Sequence, residues 1–192
     1  MSDLEARLMA TGAVLSGHFR LSSGLHSPRY VQCARLLEDP GDADALGEQL
    51  AALLRRMGVQ RIVAPALGGV IIGYTVARAL GVPMVFTERK EGVMTLRRGF
   101  TIPKGDRVAI VEDVVTTGKS TREAAGVVVA EGGEVVAYGA ILNRSGRNDL
   151  FDRPFVHLGE LTLETYEGGN CPLCASGIAI DAPGSRFGAS GS

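Results

Sequence analysis

Between residues 42 and 142, short apolar runs alternate with segments of helical spacing, and this alternation narrows the possible folds more than any other feature of the chain. Residues 42–57, DADALGEQLAALLRRM, predict an amphipathic helix with Asp42 as N-cap, Arg55 and Arg56 in the last turn and Gly58 as a left-handed stop. RIVAPA follows as a short strand ending near Pro65. Residues 69–80 predict a helix that stops at Gly81, and residues 83–87 a second strand. Residues 88–106 are polar, basic and glycine-containing, and predict a long loop with room for a hairpin. Residues 107–115, RVAIVEDVV, begin as the continuous apolar run expected of a strand covered on both faces. The chain then turns into a helix ending at Gly132 and Gly133. A strand over 134–142 and an alternating, edge-type strand over 155–163 complete the series. The expected fold is α/β: an open, mostly parallel sheet flanked by helices. The first 40 residues break the pattern and predict a small N-terminal hood. The organisation expected is therefore one domain over 1–192, with a hood over 1–40, an α/β core over 42–165 and a flexible tail over 185–192.

Composition removes several function classes. The chain has 192 residues and a net charge of -1, so it lacks the basic field that nucleic acid selects, and no nucleic-acid partner is expected. No apolar run approaches the roughly 18–20 residues of a membrane helix, so no membrane partner is expected either. The N-terminus is acidic rather than basic-then-apolar, which points to a cytoplasmic protein. Three cysteines do not make a disulfide framework.

In an open parallel sheet, ligands bind outside the carboxyl ends of the strands. Those ends carry the reactive-looking residues here, above all Val111-Glu112-Asp113-Val114-Val115-Thr116-Thr117-Gly118-Lys119-Ser120-Thr121. Two carboxylates close a buried strand, a turn of Thr and Gly follows, and a helix begins. The helix N-terminus offers unpaired N–H groups and positive partial charge to a phosphate. Gly118 lets backbone approach closely, and the hydroxyls of Thr116, Thr117, Ser120 and Thr121 add donors. Glu112 and Asp113 would repel a phosphate but suit sugar hydroxyls. A sugar phosphate satisfies both halves. The rival pattern, a nucleotide-binding P-loop, needs glycine where Asp113 stands.

This segment resembles the phosphoribosyl pyrophosphate (PRPP) motif of the type I phosphoribosyltransferases. The resemblance implies that Glu112 and Asp113 hold the ribose hydroxyls, that Thr116, Thr117, Gly118, Lys119 and Ser120 hold the 5-phosphate, that Val114 and Val115 between them also belong to the PRPP-binding segment, and that Asp113 can stabilise a positive ribose. Further segments resemble the orotate branch of that family. His18 to Tyr30 is similar to the N-terminal segment covering orotate, and Ala64-Pro65-Ala66-Leu67-Gly68-Gly69 to the pyrophosphate loop. Glu88-Arg89-Lys90 with Leu96-Arg97-Arg98-Gly99-Phe100 is similar to the mobile catalytic loop, and Asn143-Arg144 stands where an arginine meets orotate. Together these span residues 12–176. The implied reaction transfers the phosphoribosyl group of PRPP to orotate, giving orotidine 5'-monophosphate and pyrophosphate, an enzymatic step of pyrimidine biosynthesis. The implied setting is a homodimer, with magnesium (Mg2+) carried mainly by PRPP itself.

The chemistry of the residues agrees with that assignment. Orotate is a planar carboxylate. Arg144 can supply a guanidinium fork, Tyr30 a flat surface, and Ser23, Gly24 and Thr116 polar contacts. Arg89, Lys90, Arg97 and Arg98 could close over the departing pyrophosphate as catalytic cations; Leu67 and Gly68 would line its loop. Three departures from the family pattern are visible: Ser22 replaces a common lysine, Leu67-Gly68 replaces Tyr-Lys, and Gly92-Val93-Met94-Thr95 holds no match to the usual loop Lys and His. Arg97 and Arg98 are the candidates to supply the missing charge. A phosphoribosyltransferase for a purine or uracil would not need Arg144, and a PRPP-sensing regulator would need a basic face.

Cys171-Pro172-Leu173-Cys174 has the spacing of half a zinc site. With only Cys33, His18, His26 and His157 left to supply the other half, the cysteines are expected to be structural, and no protein-held metal is assigned.

Overall fold

The computed structural model describes residues 3–21 and 23–183; Ser22 and the 185–192 tail lie outside the described residues. The chain forms two compact units, a smaller one from residues 1–32 and 162–192 and a larger one from residues 33–161.

In the larger unit, a 3-10 turn at Cys33–Leu37 leads into α2 (Pro40–Leu54), numbered after a helix α1 (Asp3–Ala10) in the smaller unit. The helix starts earlier than the predicted Asp42. Asp39 is the cap, its carboxylate accepting from the N–H groups of Gly41 at 2.8 Å and Asp42 at 3.0 Å. Pro40 at the first helical position has its φ already set for the helix, which explains the shift. At the other end a 3-10 turn, Arg55–Met57, closes on Gly58 with a φ of 65°, as the sequence predicts.

The strands of this unit are β3 (Arg61–Pro65), β4 (Met84–Lys90), β5 (Val93–Leu96), β6 (Arg107–Val115), β7 (Glu134–Asn143) and β8 (Phe155–Glu160). They make one six-stranded sheet in the order β5-β4-β3-β6-β7-β8. All neighbours are parallel except β4 and β5, an antiparallel hairpin pairing Lys90 with Val93 and Thr87 with Leu96. The expected 88–106 loop thus begins as this hairpin, because strand β4 runs three residues past Thr87.

Helix α3 (Gly68–Leu80) and helix α4 (Lys119–Ala130) cover opposite faces. Side-chain alternation along β3 demonstrates this. A Cβ on Gly73 of α3 would lie 2.9 Å from the Ala64 Cβ and 3.6 Å from Ile62, so these two face α3. Val63 between them packs with Ala124 and Val128 of α4, together with Val108, Ile110, Val135 and Tyr138. Strands β3 and β6 are fully buried along most of their length, which is why they read as unbroken apolar runs.

The order of winding locates the binding crevice. From β3 the chain proceeds outward to β4 and β5, then returns to lay β6 on the other side of β3 and continues to β7 and β8. The direction reverses between β3 and β6, and their carboxyl ends flank the switch point where open α/β sheets bind ligands.

The smaller unit holds β1 (Val14–Arg20) and β2 (His26–Val31), antiparallel, with Val14 opposite Val31 and Arg20 opposite His26. The C-terminal segment joins this hairpin by bridges of Phe19 with Asp181 and of His26 with Tyr166, then includes a short helix α5 (Pro172–Ala175). Its buried apolar side chains among the described residues are few: Leu4, Leu8, Ala13, Phe19, Leu21, Val31 and Cys171.

Candidate active site

The two loops at the switch point meet. After β3, the Ala66–Leu67 peptide is cis, and the Ala66 N–H donates to the Thr87 carbonyl at 2.7 Å. Gly68 then comes so close to β6 that a Cβ on it would lie 2.6 Å from both carboxylate oxygens of Asp113. A Cβ on Gly69 would lie 2.9 Å from the Val111 carbonyl and 3.2 Å from Glu112. Only glycines let the 65–69 loop reach the acidic pair. Leu67, at the tip, is 86% exposed.

Glu112 is buried and Asp113 half-buried. Burial pushes the Asp113 carboxyl above the ordinary carboxylate range, partly countered by the Val114 N–H, which donates to it at 2.8 Å. A carboxylate held this way costs the folded chain free energy.

Past Val115 the chain passes Thr116 and Thr117 and enters α4 at Gly118. Gly118 is the N-cap and has a φ of 70°. It has no side chain to occupy the first-turn amides, and among the described residues the side-chain contact given there is a long one, the Lys119 N–H to Thr117 Oγ1 at 3.4 Å. The helix therefore begins with donors open to an anion, beside two carboxylates. Ser120 is half-buried and Thr117 and Lys119 exposed, as residues of a phosphate loop would be.

Arg122, not singled out in the sequence, braces this turn. Its guanidinium donates to the Thr117 carbonyl at 2.8 Å and the Leu150 carbonyl at 2.9 Å, and lies 5.4 Å from the centre of the Phe151 ring. Its position four residues into a helix that starts at a phosphate-type turn was the available signal. Thr87, at the end of the predicted 83–87 strand, is a further neighbour of this site. It is buried beside the 65–69 loop, and its hydroxyl has no hydrogen-bond partner among the described residues.

Arg144 follows β7, and its N–H donates to the Val115 carbonyl at 2.8 Å, which sets it next to the Thr116 turn. Buried Asn143 shapes the loop behind it, donating to the Arg147 carbonyl at 3.1 Å and to Asn148 at 3.2 Å and accepting from Ser145 at 2.6 Å. Cys33 is buried near both charges. Burial pushes its thiol well up, the Asp113 carboxylate adds to the effect, and Arg144 opposes it. A thiol so protonated is no nucleophile.

The arginines of and just after the β4–β5 hairpin are engaged with carboxylates. Arg97 and Arg98 both pair with Glu88, at 3.4 and 3.0 Å. Arg98 has a φ of 62° and lies 5.5 Å from the centre of the Phe86 ring. Arg89 pairs with Glu123 of α4 and donates to the Gly92 carbonyl at 2.9 Å. Lys90 is exposed at the end of β4. Half-exposed ion pairs of this kind are worth little each, so the arginines can exchange Glu88 for a stronger anion. Replacing Arg97 and Arg98 together by Ala is expected to reduce turnover by about two orders of magnitude. Steady-state kinetics indistinguishable from the unaltered protein would remove both from catalysis.

The remaining sequence candidates lie in the smaller unit. Ser23 and Gly24 form the exposed turn of the β1–β2 hairpin, and Gly24 donates its N–H to the Leu21 carbonyl at 2.9 Å. Tyr30 is half-buried, its ring 5.7 Å from that of Phe19. Ser27 is fully buried and donates to the Glu164 carbonyl at 2.8 Å, so its role is to hold the hairpin. His18 and His26 are strand residues rather than loop residues, and Cys171 and Cys174 lie beside them.

No family model matches the chain. Curated relatives do. An orotate phosphoribosyltransferase of Thermotoga maritima is 51% identical over 179 residues, covering 93% of this chain and 96% of the relative. The chain belongs to the orotate phosphoribosyltransferase family. An orotate phosphoribosyltransferase of Carboxydothermus hydrogenoformans is 50% identical over 186 residues, covering 96% of this chain and 97% of the relative. Among solved structures, the orotate phosphoribosyltransferase of Aeropyrum pernix aligns with a TM-score of 0.71 at 27% identity, over 82% of this chain and 93% of that one. The fold expected from the strand–helix alternation, a mostly parallel sheet flanked by helices, is the fold of this family. No described helix is long and apolar enough to cross a membrane.

Proposed function

We propose that the protein transfers the phosphoribosyl group from PRPP to orotate, forming orotidine 5'-monophosphate and pyrophosphate. The observation that carries the reading is the junction of the Gly68 loop with Asp113 at the switch point, beside a helix N-terminus with open donors. One crevice thus supplies carboxylates for a ribose, amides for its 5-phosphate and a close-approaching backbone loop for pyrophosphate.

Glu112 and Asp113 hold the ribose hydroxyls, and Asp113 faces the positive charge that grows on the sugar as the C1–oxygen bond lengthens. Residues Val114 through Ser120 seat the 5-phosphate. The 65–68 loop, with Leu67 and Gly68, takes the pyrophosphate. Arg89, Lys90, Arg97 and Arg98 neutralise it as it leaves. Arg144, beside the Thr116 turn, takes the orotate carboxylate, and Ser23, Gly24 and Tyr30 complete the base side. Most of the rate enhancement comes from positioning two bound substrates and stabilising the leaving group.

Magnesium is part of the reading. Its main ligands are the oxygens of PRPP, with no protein ligand assigned. When bound it screens the pyrophosphate charge. A homodimer is likewise proposed; the exposed apolar row Leu67, Ile71 and Tyr74 along α3 supports a subunit contact. Cytoplasmic residence is consistent with three cysteines that form no disulfide.

The test is the ultraviolet absorbance of orotate with the protein, PRPP and magnesium, and with adenine, hypoxanthine and uracil in parallel. Loss of the orotate signal that requires both PRPP and magnesium is the expected result. Turnover of another base in place of orotate would overturn the base assignment, and inactivity with every base would overturn the enzymatic reading.

A further inference from the structure

The sequence offers two cysteines in half of a zinc pattern and scatters its histidines far away. Folding of the smaller unit joins them. Strand β1 carries His18 two residues before Arg20, the partner of His26 at the start of β2, so that the two rings lie 5.0 Å apart, and the C-terminal segment carries Cys171 and Cys174 onto the same spot. One ligand atom from each of the four residues lies within 4.8 Å of all the others. The separations are 3.1 Å between His18 Nε2 and His26 Nδ1, and 3.5 Å between His18 Nε2 and Cys171 Sγ. Cys174 Sγ lies 3.7 Å from His18 Nε2 and 3.3 Å from His26 Nδ1.

A tetrahedral zinc ion with Zn–N near 2.0–2.1 Å and Zn–S near 2.3 Å requires ligand-to-ligand edges of about 3.3–3.8 Å. These four of the six edges match that tetrahedron to within a few tenths of an ångström, and the other two lie within 4.8 Å. Ordinary hydrogen bonding accounts for the cluster less well. Each thiol or imidazole proton bridges one pair at a time, whereas four ligand atoms converge on one point.

The surroundings of these four residues point the same way. His18 and Cys171 are each only 3% exposed. The buried His18 ring places Nδ1 at 2.7 Å from the Ile178 carbonyl. A carbonyl only accepts, so Nδ1 carries the proton and Nε2 turns a lone pair to the cluster, the arrangement found in metal-bound histidines. His26 is fixed by its backbone, which exchanges two hydrogen bonds of 2.8 Å with Tyr166. Cys171 caps the short helix α5, whose turn brings Cys174 back toward it.

We propose that His18, His26, Cys171 and Cys174 bind one structural zinc ion that staples the C-terminal segment to the β1–β2 hairpin. All four positions are filled by protein, so the ion has no open site for chemistry. The unit needs such a staple. It is built from two short stretches of chain far apart in sequence, with few buried apolar side chains, and small units of that kind commonly rely on a metal. The inference does not depend on the substrate assigned above.

The experiment is metal analysis of the full-length protein, purified without a histidine tag from zinc-supplemented cells under reducing conditions. About one zinc per chain is expected, with loss of most of it in the Cys171→Ser/Cys174→Ser double variant. Since that variant could fail to fold, the unaltered protein is also stripped with a chelator and titrated with cobalt(II). A visible d–d spectrum of tetrahedral thiolate coordination, saturating at one equivalent and displaced by zinc, is expected. So is a lower melting temperature after stripping, restored by zinc. Zinc below about a tenth of an equivalent with no tetrahedral cobalt spectrum, set against the four ligands such a site requires, would overturn the proposal. So would a Cys171–Cys174 disulfide in the reduced preparation, or stoichiometric iron or copper in place of zinc.

Discussion

Replacing Asp113 by Asn is expected to lower kcat/KM for PRPP by about two to three orders of magnitude and, at neutral pH, to raise the melting temperature. The loss follows from removing the carboxylate that faces the developing positive charge on the ribose. The gain follows from burial. The folded-state pKa of Asp113 is raised above its unfolded value, so the folded chain bears a cost whenever the group is ionised. The sign is the reverse of the usual salt-bridged carboxylate. The cost is present in full above the raised folded pKa. It shrinks as pH falls through that value and is gone below the unfolded value, near ~3.9. The amide variant escapes it, so its advantage should be largest at neutral pH and vanish in acid. Each ~1 kcal/mol would read as roughly 2–4 °C in a chain of this size. Thermal unfolding of both proteins across pH, with PRPP kinetics in parallel, makes the check. Unchanged kinetics would take Asp113 out of the mechanism, and a lowered melting temperature would make its charge structural.

Gly118→Ala should cost about 2–4 kcal/mol of stability and raise the KM for PRPP at least tenfold. Two independent effects coincide there. The φ of 70° is unfavourable for any residue with a Cβ. The added methyl would also lie 2.9 Å from the Phe151 ring and 3.1 Å from Leu150. That ring has little room to retreat, being stacked on Tyr138 at 4.2 Å and set edge-on to Phe155 at 5.1 Å. Strain would pass to the Thr117 turn through Arg122, which ties it to Leu150. Gly126→Ala is the matched control. Gly126 lies in the middle of the same helix, and an added Cβ there meets nothing within 4 Å. It should be neutral or stabilising by about 0.5–1 kcal/mol. Equal behaviour of the two variants in thermal unfolding would refute the account of Gly118.

Gly118 also marks how far a local motif reaches. From sequence it reads as a glycine placed for a phosphate. In the fold it is required by its left-handed backbone and by Phe151, some thirty residues on. Similarly, the basic residues between 89 and 98 read as mobile cations, whereas Arg97 and Arg98 share Glu88 and Arg89 is held by Glu123. Charge is written in the sequence, but the partner that holds it is not.

The sequence by itself determined the sheet and its flanking helices, because burial on both faces writes unbroken apolar runs into β3 and β6 and a helix writes its own stops. It also determined the turn that opens α4, where an acidic pair, small hydroxyl residues and a glycine are adjacent in the chain. Tertiary structure decided what depends on distant segments meeting. The strand order, which creates the switch point between β3 and β6, brought Gly68 against Asp113. The antiparallel pairing of β1 with β2 and the return of the C-terminal segment brought two histidines to two cysteines some 150 residues away. No local pattern encodes such meetings, because side-chain chemistry is carried by single residues, whereas proximity is set by the packing of the whole chain.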